Sequence, residues 1–181
     1  MSSSAAGSIS QAINLASVRI QGIEAQGATD LVAGGLTWSP DVSVAFTRGT
    51  VLSGTIPLTG ESLAGEPQDN ISPFKFMAAI RVSDRGNRWW ASYGLRSQAE
   101  VTRVSPLLTE STFLIAQDLL GLDGFTIQRL AGGYNWRARG QSVGVTLSVD
   151  NLANVFYREQ FQFAPARGRS VSVMFNVRGV K

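Results

Sequence analysis

The sequence predicts an all-β chain of about seven antiparallel strands in a meander, of the kind that walls a transmembrane β-barrel. Three observations carry this reading. Apolar residues recur at every second position: Val143, Val145, Leu147 and Val149 alternate with Ser142, Gly144, Thr146 and Ser148. Period 2 makes a strand with two distinct faces. The polar face is Ser, Thr, Gly and Asn rather than the Lys and Glu of a solvated surface, and an apolar outside with a small-polar inside is the barrel pattern. Connections also alternate: short at Ser39, long at Gly49, short at Asp84, long at Ser105, short at Arg137 and intermediate at Tyr157. Outer-membrane barrels have short turns on the periplasmic side and long loops outside. On that register the C-terminus is periplasmic.

Each element follows from local chemistry. Residues 1–15 are rich in Ser and Ala and read as a flexible lead-in, with residues 16–181 forming the strands. Ser17 to Gly27 reads as a strand whose apolar parity slips between Ile20 and Ile23, which predicts a bulge at Gly22. Leu31 to Trp38 continues or pairs with it, and Ser39-Pro40-Asp41 signals a turn. Val42, Val44 and Phe46 then alternate with Ser43, Ala45 and Thr47. From Gly49 to Pro73 the chain is a long loop of Gly, Pro, Ser, Thr, Asp and Asn.

Phe74, Phe76, Ala78, Ile80 and Val82 form the next strand, closed by Asp84-Arg85-Gly86-Asn87. Trp89, Ala91, Tyr93, Leu95, Ala99 and Val101 lie opposite Ser92, Gly94, Arg96, Gln98 and Glu100. Ser105 to Gly124 is a second long connection, with Phe113-Leu114-Ile115 and Leu119-Leu120 apolar enough to fold over as a short helix or cap. Gln128 to Trp136 is a strand, Arg137-Ala138-Arg139-Gly140 a short turn, and Gln141 to Val180 the final hairpin, whose last strand places Val171, Val173, Phe175 and Val177 on one side.

Composition excludes several functions. The chain has no cysteine and no histidine, which removes disulfides, thiolate metal sites, the commonest zinc ligand and His-based triads. Its 16 basic residues against 13 acidic ones are scattered rather than clustered as nucleic-acid binding requires. The carboxylates are dispersed, with no close pair for acid–base work. Gly132-Gly133 sits inside a strand and opens no phosphate-binding helix. The sequence therefore predicts no enzyme and no cofactor. No apolar run approaches the roughly 18 residues of a membrane helix, and the first residues lack the cationic and apolar regions of a signal peptide. Barrel strands need no such run, because only alternate residues meet lipid.

One stretch is more specific. Val149-Asp150-Asn151-Leu152-Ala153-Asn154-Val155-Phe156-Tyr157-Arg158-Glu159, followed by Gly168-Arg169-Ser170-Val171, resembles the C-terminal end of TonB-dependent outer-membrane receptors. Members of that family carry an N-L-x-N-x-x-Y-R-E strand end and a G-R opening the last strand. The motif residues are Asn151, Leu152, Asn154, Tyr157, Arg158, Glu159, Gly168 and Arg169. The resemblance spans roughly residues 16–178 and is most specific over 149–171. The strand Val18 to Ala25 is similar to one that recurs in the later part of receptor barrels.

The resemblance implies energised uptake of a scarce ligand, such as an iron–siderophore complex, haem or cobalamin, across the outer membrane. It implies contact with outer-membrane lipid, with the remainder of the barrel and its plug, and through that plug with the TonB energy-transducing complex. Receptor barrels have 22 strands, so the chain is expected to be a segment that does not transport alone. No plug and no TonB-contacting segment is found in it. Receptors usually end on an aromatic residue, whereas here the last aromatic is Phe175.

Within this frame Trp89, Trp90, Tyr93, Tyr134 and Trp136 are expected as an interfacial aromatic girdle, against core packing or a sugar-stacking platform. Arg81, Arg96, Gln98, Glu100, Asn176 and Arg178 are expected to line the lumen, against ordinary solvated charge. Asn151 and Asn154 are expected to close a strand end and tie down the next loop. Tyr157, Arg158, Phe161 and Phe163 fall on an outer loop that could touch a ligand.

Two alternatives remain. A strand from Ser8 to Leu15 pairing with the last strand would give eight, enough to close a small structural or adhesive barrel. A soluble β-sandwich binding module would instead put Lys and Glu on its solvent faces.

Overall fold

Alternating residues fold into one antiparallel sheet. A computed structural model describes residues 17–56, 59–68, 71–105, 121–138, 140–159 and 164–179. Its strands are β1 (Ser17–Ala28), β2 (Leu31–Ala33), β3 (Leu36–Ser53), β4 (Phe74–Asp84), β5 (Trp89–Gln98), β6 (Phe125–Ala138), β7 (Gln141–Asp150) and β8 (Ser170–Gly179). They pair in the order β1-β3-β4-β5-β6-β7-β8, with β2 also on β3. The fold is an all-β meander, and no helix occurs among the described residues. Within them the sheet does not close, because the outer edges of β1 and β8 have no strand partner.

The alternation predicts about seven strands, and eight occur among the described residues because Pro40 splits one. Ala28 pairs with Asp41 and Leu31 with Trp38, so the register runs unbroken through the gap. Pro40 accepts a hydrogen bond from the Thr29 N–H at 3.3 Å, but its ring nitrogen has no hydrogen to donate on that edge. The ladder lapses there and resumes. The sheet is seven ribbons wide.

That arrangement corrects the first turn. Ser39-Pro40-Asp41 lies within β3, and the chain reverses instead at Gly34-Gly35, with φ of 59° and 78°. Two consecutive positive φ values suit a two-residue hairpin turn and favour glycine. The bulge predicted at Gly22 is also absent, because Gly22 pairs regularly with Thr47. A Cβ at Gly22 would stand 2.6 Å from the Phe46 carbonyl oxygen. Glycine answers a close approach of two backbones, and the irregularity falls at Ser17/Val18.

Other boundaries move for tertiary reasons. β3 runs past Gly49 because the following loop folds back on it: Val51 donates to the Glu66 carbonyl and accepts from the Gly65 N–H, both at 2.9 Å. Val51, Ile56 and Leu63 bury one another there. β5 ends at Gln98, which leaves Glu100 exposed in the loop beyond it. β6 begins at Phe125 and includes Arg137 and Ala138, so its turn to β7 contains only residues 139 and 140. The lead-in 1–15, the proposed pairing of Ser8–Leu15, the Phe113–Leu120 cap, and Phe161 and Phe163 lie outside the described residues.

Cross-strand partners share a face, so the register sorts every strand residue onto one of two sides. One side carries Ile23, Val42, Phe46, Ile80, Tyr93, Leu130, Leu147, Val173 and Phe175. These side chains are exposed, Phe175 by 71% and Ile23 by 75%. The other side carries Ser43, Lys75, Arg81, Ser92, Arg96, Thr146, Ser148, Ser172 and Asn176. The sheet has an open apolar face and a polar face.

Candidate functional site

A strap roofs the polar face at its long-loop end. Its described parts are residues 151–159 and 164–169, between β7 and β8, and two asparagines anchor its start. Asn151 is buried and adopts φ 52°. Its Oδ1 accepts the Val155 N–H at 2.9 Å, and its Nδ2 donates to the Val155 and Arg167 carbonyls at 2.8 and 3.3 Å. Asn154 adopts φ 54°, and its Oδ1 accepts the Arg169 N–H at 2.8 Å. Asparagine tolerates this left-handed backbone better than other residues with a side chain. Gly168 is required by the same contact, since a Cβ there would stand 2.9 Å from that Oδ1. Arg169 serves through its backbone, and Leu152 donates its N–H to the Gln128 carbonyl. Five of the eight motif residues thus have a structural task.

The middle of the strap latches onto the sheet. Glu159 takes a two-pronged contact from Arg96, with Nη2 2.7 Å from Oε1 and Nη1 3.4 Å from Oε2. The Tyr157 ring packs on Phe125 at 4.5 Å between centroids, and the Arg96 guanidinium lies 5.3 Å from the Phe125 ring. The hydrogen bond from Arg96 favours the charged form of Glu159 and holds its pKa below the ordinary value, against the opposing effect of burial. Arg158 is half-buried.

Beneath the strap is a cavity of about 500 Å³, lined by Met77, Arg96, Ile127 and Tyr157 among others. Its floor is one lateral row of the sheet, Asp41, Ala79, Gly94, Arg129, Asp150 and Ser170, each paired with the next. Small Ala79 and Gly94 hollow the row. Arg129 and Asp150 close it with an ion pair at 3.2 Å.

The expected lumen residues fall mostly together. Arg81, Arg96, Gln98, Asn176 and Arg178 share the polar face, whereas Glu100 does not, because its strand has ended. The aromatic set divides. Trp89, Tyr134 and Trp136 lie at the short-turn end of the apolar face, with Trp89 beside Tyr134 and the Tyr134 and Trp136 rings 6.1 Å apart. Tyr93 is on that face but inside the sheet, between Ile80 and Leu130. Trp90 is on the polar face, with the Arg81 guanidinium 4.1 Å above its ring, and a Cβ on Gly133 would meet its Nε1. Adjacent residues of a strand cannot share a face, so Trp90 leaves the girdle.

Sequence reasoning missed three contributors. Trp38 joins the aromatic edge beside Val82, hidden by the turn reading next to it. Phe125 supports the latch, and its place beside a long connection obscured its strand. Asp150 pairs with Arg129 across β6–β7, and the regular alternation of β7 was the signal for its face. Among the described residues no group of three or more acidic residues is placed to hold a metal ion. No family model matches the chain, and no curated protein matches it.

Proposed function

We propose that this chain forms part of the wall of an outer-membrane β-barrel of the TonB-dependent receptor kind, serving uptake of a scarce ligand of the iron–siderophore, haem or cobalamin class. The segregation of the two faces is the observation that carries the proposal. In this reading the exposed apolar face meets lipid and the polar face meets the lumen and a plug. Phe46 and Trp38 mark the two ends of the apolar face on β3, eight residues or about 26 Å apart along the strand, a span of the same order as the apolar band of such barrels. Strands of 10 to 14 residues are long enough to cross.

Unpaired backbone is not tolerated in lipid, so the free edges of β1 and β8 would pair with further barrel strands. Asn151, Asn154, Tyr157, Glu159 and Gly168 build the strap at the positions where the sequence resembles the receptor family. The wall has no catalytic role and needs no cofactor. Energy would reach it only through the plug and the TonB complex.

The test uses the natural absence of cysteine. Single cysteines at positions 145 to 149 of β7 are labelled with bimane, and the chain is refolded into phosphatidylcholine vesicles with brominated acyl chains. Quenching at 145, 147 and 149 but not at 146 and 148 is expected. Uniform quenching, or none, would reject the membrane-wall reading.

A further inference from the structure

The apolar face carries two cations, and they stand together at one corner. Among the described strand residues, Lys75, Arg81, Arg96, Arg129, Arg137 and Arg178 all project from the polar face. Arg19 and Arg48 are the exceptions. Arg48 pairs with Gln21, and Arg19 with Thr50, which makes the two arginines diagonal neighbours about 7–8 Å apart on the same face. Both are exposed, and neither forms an ion pair among the described residues. They lie at the long-loop end, immediately beyond Ile23, Phe46 and Phe74, where the apolar surface stops. The register puts Ile23 beside Phe46 and Phe46 beside Phe74, with the two phenylalanine rings 4.9 Å apart.

A groove joins the charge to the apolar surface. Gln21, Ile23, Phe46, Arg48 and Pro73 line an open hollow of about 560 Å³. A third guanidinium is near, since Arg103 Nη1 reaches the Gly49 carbonyl at 3.5 Å. An unpaired guanidinium facing hydrocarbon is costly, while one at the headgroup level with a phosphate to bind is favourable.

We infer that Arg19 and Arg48 form a site for the phosphate of a membrane lipid, with an acyl chain of that lipid lying against Ile23 and Phe46. The inference rests on the membrane-wall reading and adds a specific ligand to it. Two fork-shaped donors with no acidic neighbour on this face among the described residues suit a phosphomonoester better than a zwitterionic headgroup, whose own amine competes for the phosphate.

The full chain is refolded into phosphatidylcholine vesicles with and without 20 mol% phosphatidic acid, extracted in mild detergent, and examined for retained lipid by native mass spectrometry. Wild type should retain phosphatidic acid in preference to phosphatidylcholine. Each of Arg19→Gln and Arg48→Gln should weaken that preference about fivefold, and Arg137→Gln, on the polar face, should leave it unchanged. Equal loss in Arg137→Gln would assign the effect to net charge and overturn the site, as would full retention in the Arg19→Gln/Arg48→Gln pair. Retention of inorganic phosphate alone, without acyl dependence, would likewise overturn it. A chain that enters pure phosphatidylcholine vesicles but shows no preference refutes the site alone. A chain that enters neither vesicle refutes the membrane wall and the site together.

Discussion

Arg96 and Glu159, 63 residues apart in sequence, meet at 2.7 Å and fasten the strap to the polar face. Strand geometry decides where each stands. β5 presents Arg96 beside Met77 and Ile127, and the asparagine turn at 151–154 aims the strap so that Glu159 arrives over it. Both side chains keep 38% exposure, so water weakens the attraction and the pair is worth about 0.5–1 kcal/mol.

Glu159→Gln should therefore loosen the strap without unfolding the sheet. Amide hydrogen exchange at residues 155–159 should accelerate about two- to fivefold, with β6 and β7 unchanged. The sign with pH follows from the lowered pKa. A depressed carboxylate stabilises above its ordinary value of 4.5, and the contribution disappears as pH falls through the lower folded-state value. Wild type should lose strap protection below about pH 4.5, and Glu159→Gln should lack that step. An identical acid step in both proteins would show that the latch does not titrate.

The asparagines should matter more than the ion pair. Asn151→Ala removes three hydrogen bonds at a buried site and forces alanine into left-handed backbone, for a loss of about 2–4 kcal/mol. Asn154→Ala should cost about 1–2 kcal/mol, and Asn154→Gly less, because glycine restores the backbone but not the bond to Arg169. Urea unfolding midpoints of the refolded chain give the ranking. An Asn151→Ala midpoint equal to wild type would contradict it.

Single-tryptophan variants separate the two faces. In brominated phosphatidylcholine vesicles, Trp38, Trp89 and Trp136 should each be quenched by the lipid. Trp90, stacked under Arg81 on the polar face, should not. Equal quenching of Trp89 and Trp90 would mean that β5 does not present opposite faces to opposite environments.

Gly22→Ala tests the close approach of β1 to β3. A Cβ 2.6 Å from a backbone oxygen must push the strands apart, at a cost of about 1–3 kcal/mol, and should speed exchange of the β1 amides. Gly27, on the same strand, has open space around its Cβ position, so Gly27→Ala should change stability by under about 0.5 kcal/mol. A bulge at Gly22 would predict no difference between the two.

By itself the sequence determined the all-β class, the antiparallel meander and most face assignments. Each is a local consequence of period 2, and turn chemistry reads locally too, at Asp84–Asn87 and near Gly140. The tasks of Asn151 and Asn154 were legible for the same reason, because their partners lie within a few residues or just across the strap. Only tertiary structure decided the rest. Pro40 reads as a turn until its missing donor is seen to fall on a single edge of β3. Gly22 reads as a bulge until the Phe46 carbonyl is placed beside it. Trp90 looks like a partner of Trp89 until strand pairing puts it over Gly133. Glu159 and Arg96, like Arg19 and Arg48, carry no mutual signal in the sequence, because register rather than spacing brings distant charges together.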